Sequence, residues 1–240
     1  MLYFIRYLLF TIATILALMV VFPFTILRPL NVKNNAIYFK SFNYFLSLFR
    51  MFKIHTENED ILEKNSPVVL IGNHQHNFDV LTVSDLFKYQ VAVLGKFEIG
   101  IIPIFGQIYV LCGNVLIKRG NKKQALSSMA LLEKKIKEES LSILVFPEGT
   151  RNPRKKLIPF KKGAFHAAIK SQSPLVPFSI SQYVVNDQLK SLRLINIYVK
   201  VHDPIPTIGL TNKDIPSLMK KTSDIIEQGI LEMNQKATRE

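Results

Sequence analysis

Two histidines and an aspartate follow an apolar run in "VVLIGNHQHNFDVLTVSDL", residues 68–86, and their types and spacing admit three kinds of chemistry. His74, His76 and Asp79 could simply decorate a turn, because short polar side chains hydrogen-bond the backbone of loops. They could bind a metal, since His-x-His presents two imidazoles. The acid, however, comes three residues after the second His, no His follows it, and no later Cys, His and Asp cluster repeats ligand spacing, so a metal is disfavoured. The third possibility is a base with its orienting acid, His74 and Asp79, in the pattern H-x-x-x-x-D. On a regular helix residues five apart point about 140° away from each other, so this pair meets only across a bend. Gly72 ends the apolar strand, and Asn77 is a good N-cap for a helix that starts near Phe78, which puts Asp79 in a first turn beside the loop that carries His74.

A second stretch, "FPEGTRNPRKKLIPFKKGAF" at 146–165, leaves a strand, turns at Pro147 and Gly149, and carries Arg151, Arg154, Lys155, Lys156, Lys161 and Lys162 without an acid among them. Arg154 to Lys156 and Lys162 read as a solvated or lipid-facing basic loop. Arg151 differs, because Glu148, Gly149 and Thr150 beside it add a carboxylate, a tight turn and a hydroxyl at the C-terminal end of a strand, where ligands of α/β sheets bind. Paired guanidinium N–H groups suit a phosphate. No G-x-x-x-x-G-K-[ST] occurs, so a nucleotide P-loop is excluded.

The elements that must position these groups are legible from periodicity. Apolar strands are expected at 68–71, 91–94, 114–117, 142–146, 175–180 and 195–201, separated by helical or loop segments. Residues 122–138 form the clearest helix, with Ala125, Met129, Leu132 and Ile136 on one face, and Pro216 after Asp214 starts a charged C-terminal helix. The expectation is an α/β fold with a mixed central sheet flanked by helices.

The N-terminus differs in kind. Residues 7–27 contain no charged side chain, and 21 residues are enough to cross roughly 30 Å of hydrocarbon at about 1.5 Å each. No small-x-small cleavage site follows, which favours an anchor over a cleaved leader. Pro23 leaves both a spanning and a re-entrant helix open. Residues 36–54 interleave Phe and Tyr with Lys40, Arg50 and Lys53, the composition of an interfacial helix. The expected organisation is therefore a membrane-associated two-helix segment at 1–58 and an α/β domain at 59–240. The 31 Lys and Arg outnumber the 18 Asp and Glu, a formal net charge of +13 that attracts anionic lipid, phosphorylated substrates or nucleic acid. The apolar N-terminus selects the membrane among these. The single cysteine, Cys112, forbids an internal disulfide framework and sits in an apolar run, as a buried structural Cys would.

Four blocks in order, "NHQHNFD" at 73–79, "GNVLIKR" at 113–119, "FPEGTR" at 146–151 and "VPFSI" at 176–180, resemble those of the glycerolipid acyltransferases. "PIFGQIYVLCGN" and "PFKKGAFHAA" extend the resemblance to the bacterial 1-acylglycerol-3-phosphate acyltransferases, over nearly the whole chain. Lys118 departs from that pattern, which often has Asp before the Arg. The resemblance implies acyl transfer from a thioester of CoA or acyl carrier protein to the sn-2 hydroxyl of lysophosphatidic acid, giving phosphatidic acid, with no cofactor and no nucleic acid. It implies His74 as base and Asp79 as its orienting acid. Arg151 would hold the acceptor phosphate, with Arg119 and Lys96 as further candidates, and Glu148, Gly149 and Thr150 would shape the acceptor's glycerol site. Pro177 would support the pocket, and His76 and His166 would be structural or peripheral. The implied location is the bacterial inner membrane, with the catalytic domain on its cytoplasmic face. An acyltransferase for glycerol 3-phosphate or another lysolipid, and a non-catalytic basic membrane adaptor, are the alternatives.

Overall fold

The computed structural model describes residues 2–118, 122–153, 156–183 and 194–239. Among them, seven strands form one sheet: β1 (Phe52–Glu57), β2 (Val69–Gly72), β3 (Val91–Lys96), β4 (Val115–Ile117), β5 (Ser142–Val145), β6 (Leu175–Ile180) and β7 (Ile195–Val201). Their order is β1-β7-β6-β2-β5-β3-β4. β7 runs antiparallel to β6 and parallel to β1, whereas β2 to β6 are mutually parallel. The C-terminal ends of β2, β3, β4, β5 and β6 therefore share one edge. That edge carries both polar blocks.

Alternate strand residues bury themselves against two layers of helices. On one face α6 (Lys122–Lys137), α7 (Gly163–Ser171) and α8 (Ile215–Arg239) cover Val69, Ile71, Ile143, Val145 and Leu175. On the other face α2 (Lys33–Leu48) lays Tyr38, Phe39, Phe42 and Leu46 over Leu70, Val93 and Val176, and α1 (Leu2–Leu27) packs outside it through Ala13, Ala17 and Val21. β2, covered on both faces, is buried throughout. The short helices α3 (Ile61–Asn65), α4 (Asp79–Thr82) and α5 (Phe105–Leu111) complete the layers.

All six expected strands form, as do the helices expected at 122–138 and after Asp214. Residues 36–54 correct the expectation of one interfacial helix. α2 ends at Leu48, the chain turns through Arg50 at φ 53°, and residues 52–57 become the edge strand β1, in register with β7 from Phe52 opposite Ile195. The aromatic residues of α2 recur at helical spacing and so form a stripe, and the sheet rather than a lipid surface takes that stripe. Phe39 stacks on Phe87 with centroids 4.1 Å apart. The boundary expected at 58/59 falls behind a strand of the main sheet, and α2 belongs to the core.

Buried amides lock the helical pair to the sheet. Asn35 and Asn114 exchange side-chain hydrogen bonds of 2.9 Å in both directions. Asn35 also donates to the Val91 carbonyl at 3.1 Å, and Asn114 Oδ1 accepts the Val93 N–H at 2.8 Å. Buried groups of this kind are costly to leave unpaired, so the contact fixes where the helices sit. α1 runs unbroken through Pro23, is long and apolar enough to cross a membrane, and exposes Leu8, Ile12, Ile15, Met19 and Phe22 along its outer side.

Candidate active site

Beyond β2 the chain stays extended, and its side chains alternate between the two neighbouring strands. Asn73 and Gln75 turn to β6: Asn73 Nδ2 donates to the Ile180 carbonyl at 3.0 Å, its Oδ1 accepts the Ile180 N–H at 2.8 Å, and Gln75 Nε2 donates to the Ser181 carbonyl at 2.8 Å. His74 turns to β5. Its N–H donates to Glu148 Oε1 at 2.8 Å, its carbonyl accepts the Asn152 N–H at 2.7 Å, and its ring stacks on Phe146 with centroids 4.3 Å apart. The block is thus stitched to both neighbours of β2, and His74 is presented between them.

The bend that H-x-x-x-x-D requires is made by Asp79 itself. Its Oδ2 accepts the His74 Nδ1–H at 2.6 Å and the backbone N–H groups of Gln75 and His76 at 2.6 and 2.8 Å, while Oδ1 accepts the Tyr183 hydroxyl. A fully buried carboxylate is expensive unless such donors compensate it. Asn77 is exposed and forms no side-chain cap of α4, which corrects its expected role; the acid gathers the loop amides instead. Because Nδ1–H is committed to Asp79, the neutral imidazole carries its lone pair on Nε2. Among the described residues no side chain hydrogen-bonds Nε2, and the His74 side chain is 19% exposed. The imidazole is held at one nitrogen and open at the other.

His76 faces away from this role. Its Nδ1 accepts the Phe78 N–H at 3.3 Å. Burial pushes its pKa down, Asp79 opposes that, and the nearby Arg151 guanidinium adds to the lowering. Glu148 also differs from its expected place against the acceptor's glycerol. It is buried, with Oε1 on His74 and Oε2 accepting Asn152 Nδ2 at 2.8 Å, so it acts from behind the loop. Burial raises its pKa, and the hydrogen bonds from His74, Asn152 and Ile158 pull it back.

The cationic groups line the same edge. Gly149, at φ 71°, closes a turn by donating its N–H to the Phe146 carbonyl at 3.1 Å, and an L side chain there would be strained. The Lys161 side chain crosses this glycine, its Nζ within 2.9 Å of where a Cβ would stand. Thr150 and Arg151 are exposed beside it, directly before the Asn152 that bonds His74. Lys96 is exposed at the end of β3, two strands from β2 or about 10 Å across the sheet. Lys118 places its ammonium 4.3 Å from the Phe97 ring centroid. Arg119, Arg154 and Lys155 lie outside the described residues. Pro177 is buried in β6 opposite Ile71, and His166 bonds Asn212 Oδ1 at 2.9 Å away from the site. Cys112 is buried, and burial pushes its thiol up to about 12.

Three neighbours of the pair escaped the sequence reading: Tyr183, Phe146 and Asn152. Phe146 lies in the block that ends at Arg151, so its stacking on His74 follows once β5 is known to lie beside β2. Tyr183 stands 104 residues from Asp79, and no spacing rule points to it.

Residues 53–181 match the acyltransferase family. A 1-acyl-sn-glycerol-3-phosphate acyltransferase of Haemophilus influenzae is 32% identical over 216 residues, 90% of each chain. The protein of that name from Escherichia coli is 32% identical over 237 residues, 98% of this chain and 96% of its own. In fold, the chain is similar to a solved 1-acyl-sn-glycerophosphate acyltransferase from Thermotoga maritima, with TM-score 0.71 and 21% identity over 96% and 97% of the two chains. With the family match spanning more than half of the sequence and relatives aligned over nearly all of it, this chain belongs to the acyltransferase family.

Proposed function

We propose that the chain transfers a fatty acyl group from a thioester to the sn-2 hydroxyl of 1-acylglycerol 3-phosphate, forming phosphatidic acid. The observation that carries this reading is a His74 imidazole anchored at Nδ1 by Asp79, open at Nε2, on the sheet edge that also bears Arg151. Both relatives named above carry this activity in their names.

In this reading Nε2 takes the proton of the acceptor hydroxyl as its oxygen attacks the thioester carbonyl. Asp79 holds the tautomer and stabilises the imidazolium. The tetrahedral intermediate collapses, the C–S bond breaks, and the imidazolium returns the proton to the departing thiolate. Transfer is direct, because the one cysteine is buried and its thiol is held in the protonated form. Arg151 grips the phosphate on the carbon beside the reacting hydroxyl, so binding also orients the nucleophile. The donor is acyl-CoA or acyl-acyl carrier protein, and no cofactor takes part. α1 inserts into the membrane that supplies the acceptor, and the catalytic domain lies within reach of the soluble donor, on the cytoplasmic side of a bacterial inner membrane.

Thiol release from acyl-CoA or acyl-acyl carrier protein, measured with lysophosphatidate, lysophosphatidylcholine and glycerol 3-phosphate, tests the proposal. Preference for lysophosphatidate is expected. Equal rates on the two lysolipids would remove the phosphate grip, preference for glycerol 3-phosphate would reassign the acceptor, and no release with any acceptor would leave the adaptor.

A further inference from the structure

The segment between β3 and α5 has no part in the chemistry above, yet it is built in an unusual way. After Lys96 the chain makes a 3₁₀ turn over Phe97–Ile101 in which no residue is buried. Ile101 and Ile104 are each 68% exposed, and Phe97 and Ile102 are exposed as well. Ile104 stands at φ 66° and ψ −56°, and the Phe105 N–H donates across it to the Pro103 carbonyl at 2.7 Å. This is a γ-turn of the rarer, strained hand, here holding a β-branched residue out into the surroundings. The segment is also tightly seated: a Cβ on Gly106 would come within 2.4 Å of the Gly100 carbonyl oxygen, so the turn and the start of α5 touch backbone to backbone. The apolar knob has a defined shape.

Its surroundings identify what it fits. It stands on the edge of the sheet that bears His74 and Arg151, and α5 beneath it packs on α1 and meets α2 through the Phe105 and Tyr38 rings, so the knob and the apolar outer side of α1 belong to the same face of the sheet. Lys96 and Lys118 flank it, the latter over the Phe97 ring, and Glu98 is the one acid between residues 96 and 104. Exposed aliphatic and aromatic side chains ringed by lysines match the boundary between acyl chains and anionic headgroups. Resting on the lipid reading of the acceptor, we propose that residues 97–104, with Lys96 and Lys118, form a second lipid contact, distinct from α1, that dips into the interfacial layer of an anionic bilayer. Two separated contacts fix the tilt of the domain, and the knob sets the cationic edge at the height of the headgroups, where the acceptor's phosphate lies.

The chain has no tryptophan, so single-tryptophan variants report each contact separately. Ile101→Trp probes the knob, Met19→Trp the outer side of α1, and Ile208→Trp an exposed position in the loop before α8. Each full-length variant is bound to phosphatidylglycerol vesicles with and without brominated acyl chains. The expected result is blue-shifted, bromine-quenched emission at positions 101 and 19, and solvent-like emission at 208. Quenching at 19 with solvent-like emission at 101 would overturn the knob and leave the membrane reading standing. Solvent-like emission at both would overturn the two together. Ile102→Trp repeats the measurement on the knob if Ile101→Trp does not fold.

Discussion

The His74–Asp79 pair and the exposed cations occupy one edge of one sheet and are held in opposite ways. Asp79 has both oxygens taken by four donors from His74, Gln75, His76 and Tyr183, and the His74 backbone is pinned on both sides by Glu148 and Asn152. Arg151 and Lys96 reach from the edge into solvent. A base must stand within a fraction of an ångström of its proton, and only over-determined contacts achieve that. A phosphate grip works by charge and reach, and its side chains can order when the ligand arrives. Substitutions in the two groups should therefore fail differently.

The largest effects belong to the pair. His74→Ala and Asp79→Asn should each lower kcat by about 10²- to 10⁴-fold, with melting temperature and vesicle binding close to wild type for His74→Ala. Near-normal turnover of His74→Ala would break the comparison at its root.

Next comes Glu148→Ala, which touches no substrate in this reading but frees the His74 N–H and leaves Asn152 short of an acceptor. Unsatisfied buried groups cost about 1–3 kcal/mol, and misplacement of the base by about 1 Å can cost about 100-fold in rate. Losses should appear in both denaturant midpoint and kcat. Loss confined to KM for the acceptor would move Glu148 back to the glycerol site.

Tyr183→Phe sharpens the distinction, because it removes one hydroxyl from behind Asp79 and keeps the ring. A hydrogen bond to a charged group is worth about 1.5–3 kcal/mol, so a loss of stability of that order is expected in the denaturant midpoint, with KM little changed. With less of its charge offset, Asp79 should hold the His74 imidazolium more strongly. The acid limb of the pH–rate profile should then move to higher pH, whereas an unmoved limb would limit Tyr183 to packing.

Arg151→Lys keeps the charge and loses the paired N–H geometry, so its defect should be about tenfold on lysophosphatidate and small on acceptors without a terminal phosphate. Lys156→Ala, exposed in the same basic loop, should change kcat/KM less than about twofold, within the usual range for surface charges. Comparable losses in these two variants would make Arg151 a general lipid-surface cation.

A glycine and a change of periodicity, both local signals, indicate the bend between His74 and Asp79, and the structure contains it. Local capping preferences point to Asn77 as the agent of the bend, because they describe a helix end in isolation, whereas in the fold Asp79 gathers the loop amides. The helix expected at 36–54 takes in Phe52 to Ile54 because they follow an aromatic helical stripe; the alternation of Phe52 and Ile54 with polar neighbours in "FKIHTE" acquires meaning only with β7 beside it.

By itself the sequence determined the six other strands, the helix at 122–138, a helix that starts after Asp214, the apolar first helix and the polar blocks with their order. These rest on periodicity and on neighbours a few residues apart, where backbone geometry dictates which side chains share a face. Only the tertiary structure decided that Tyr183 backs Asp79 across 104 residues, that Glu148 holds His74 across 74, and that the aromatic stripe of α2 covers the sheet. Those contacts depend on which strands lie side by side, and strand order is set by the packing of the whole core, a property that no window of the chain contains.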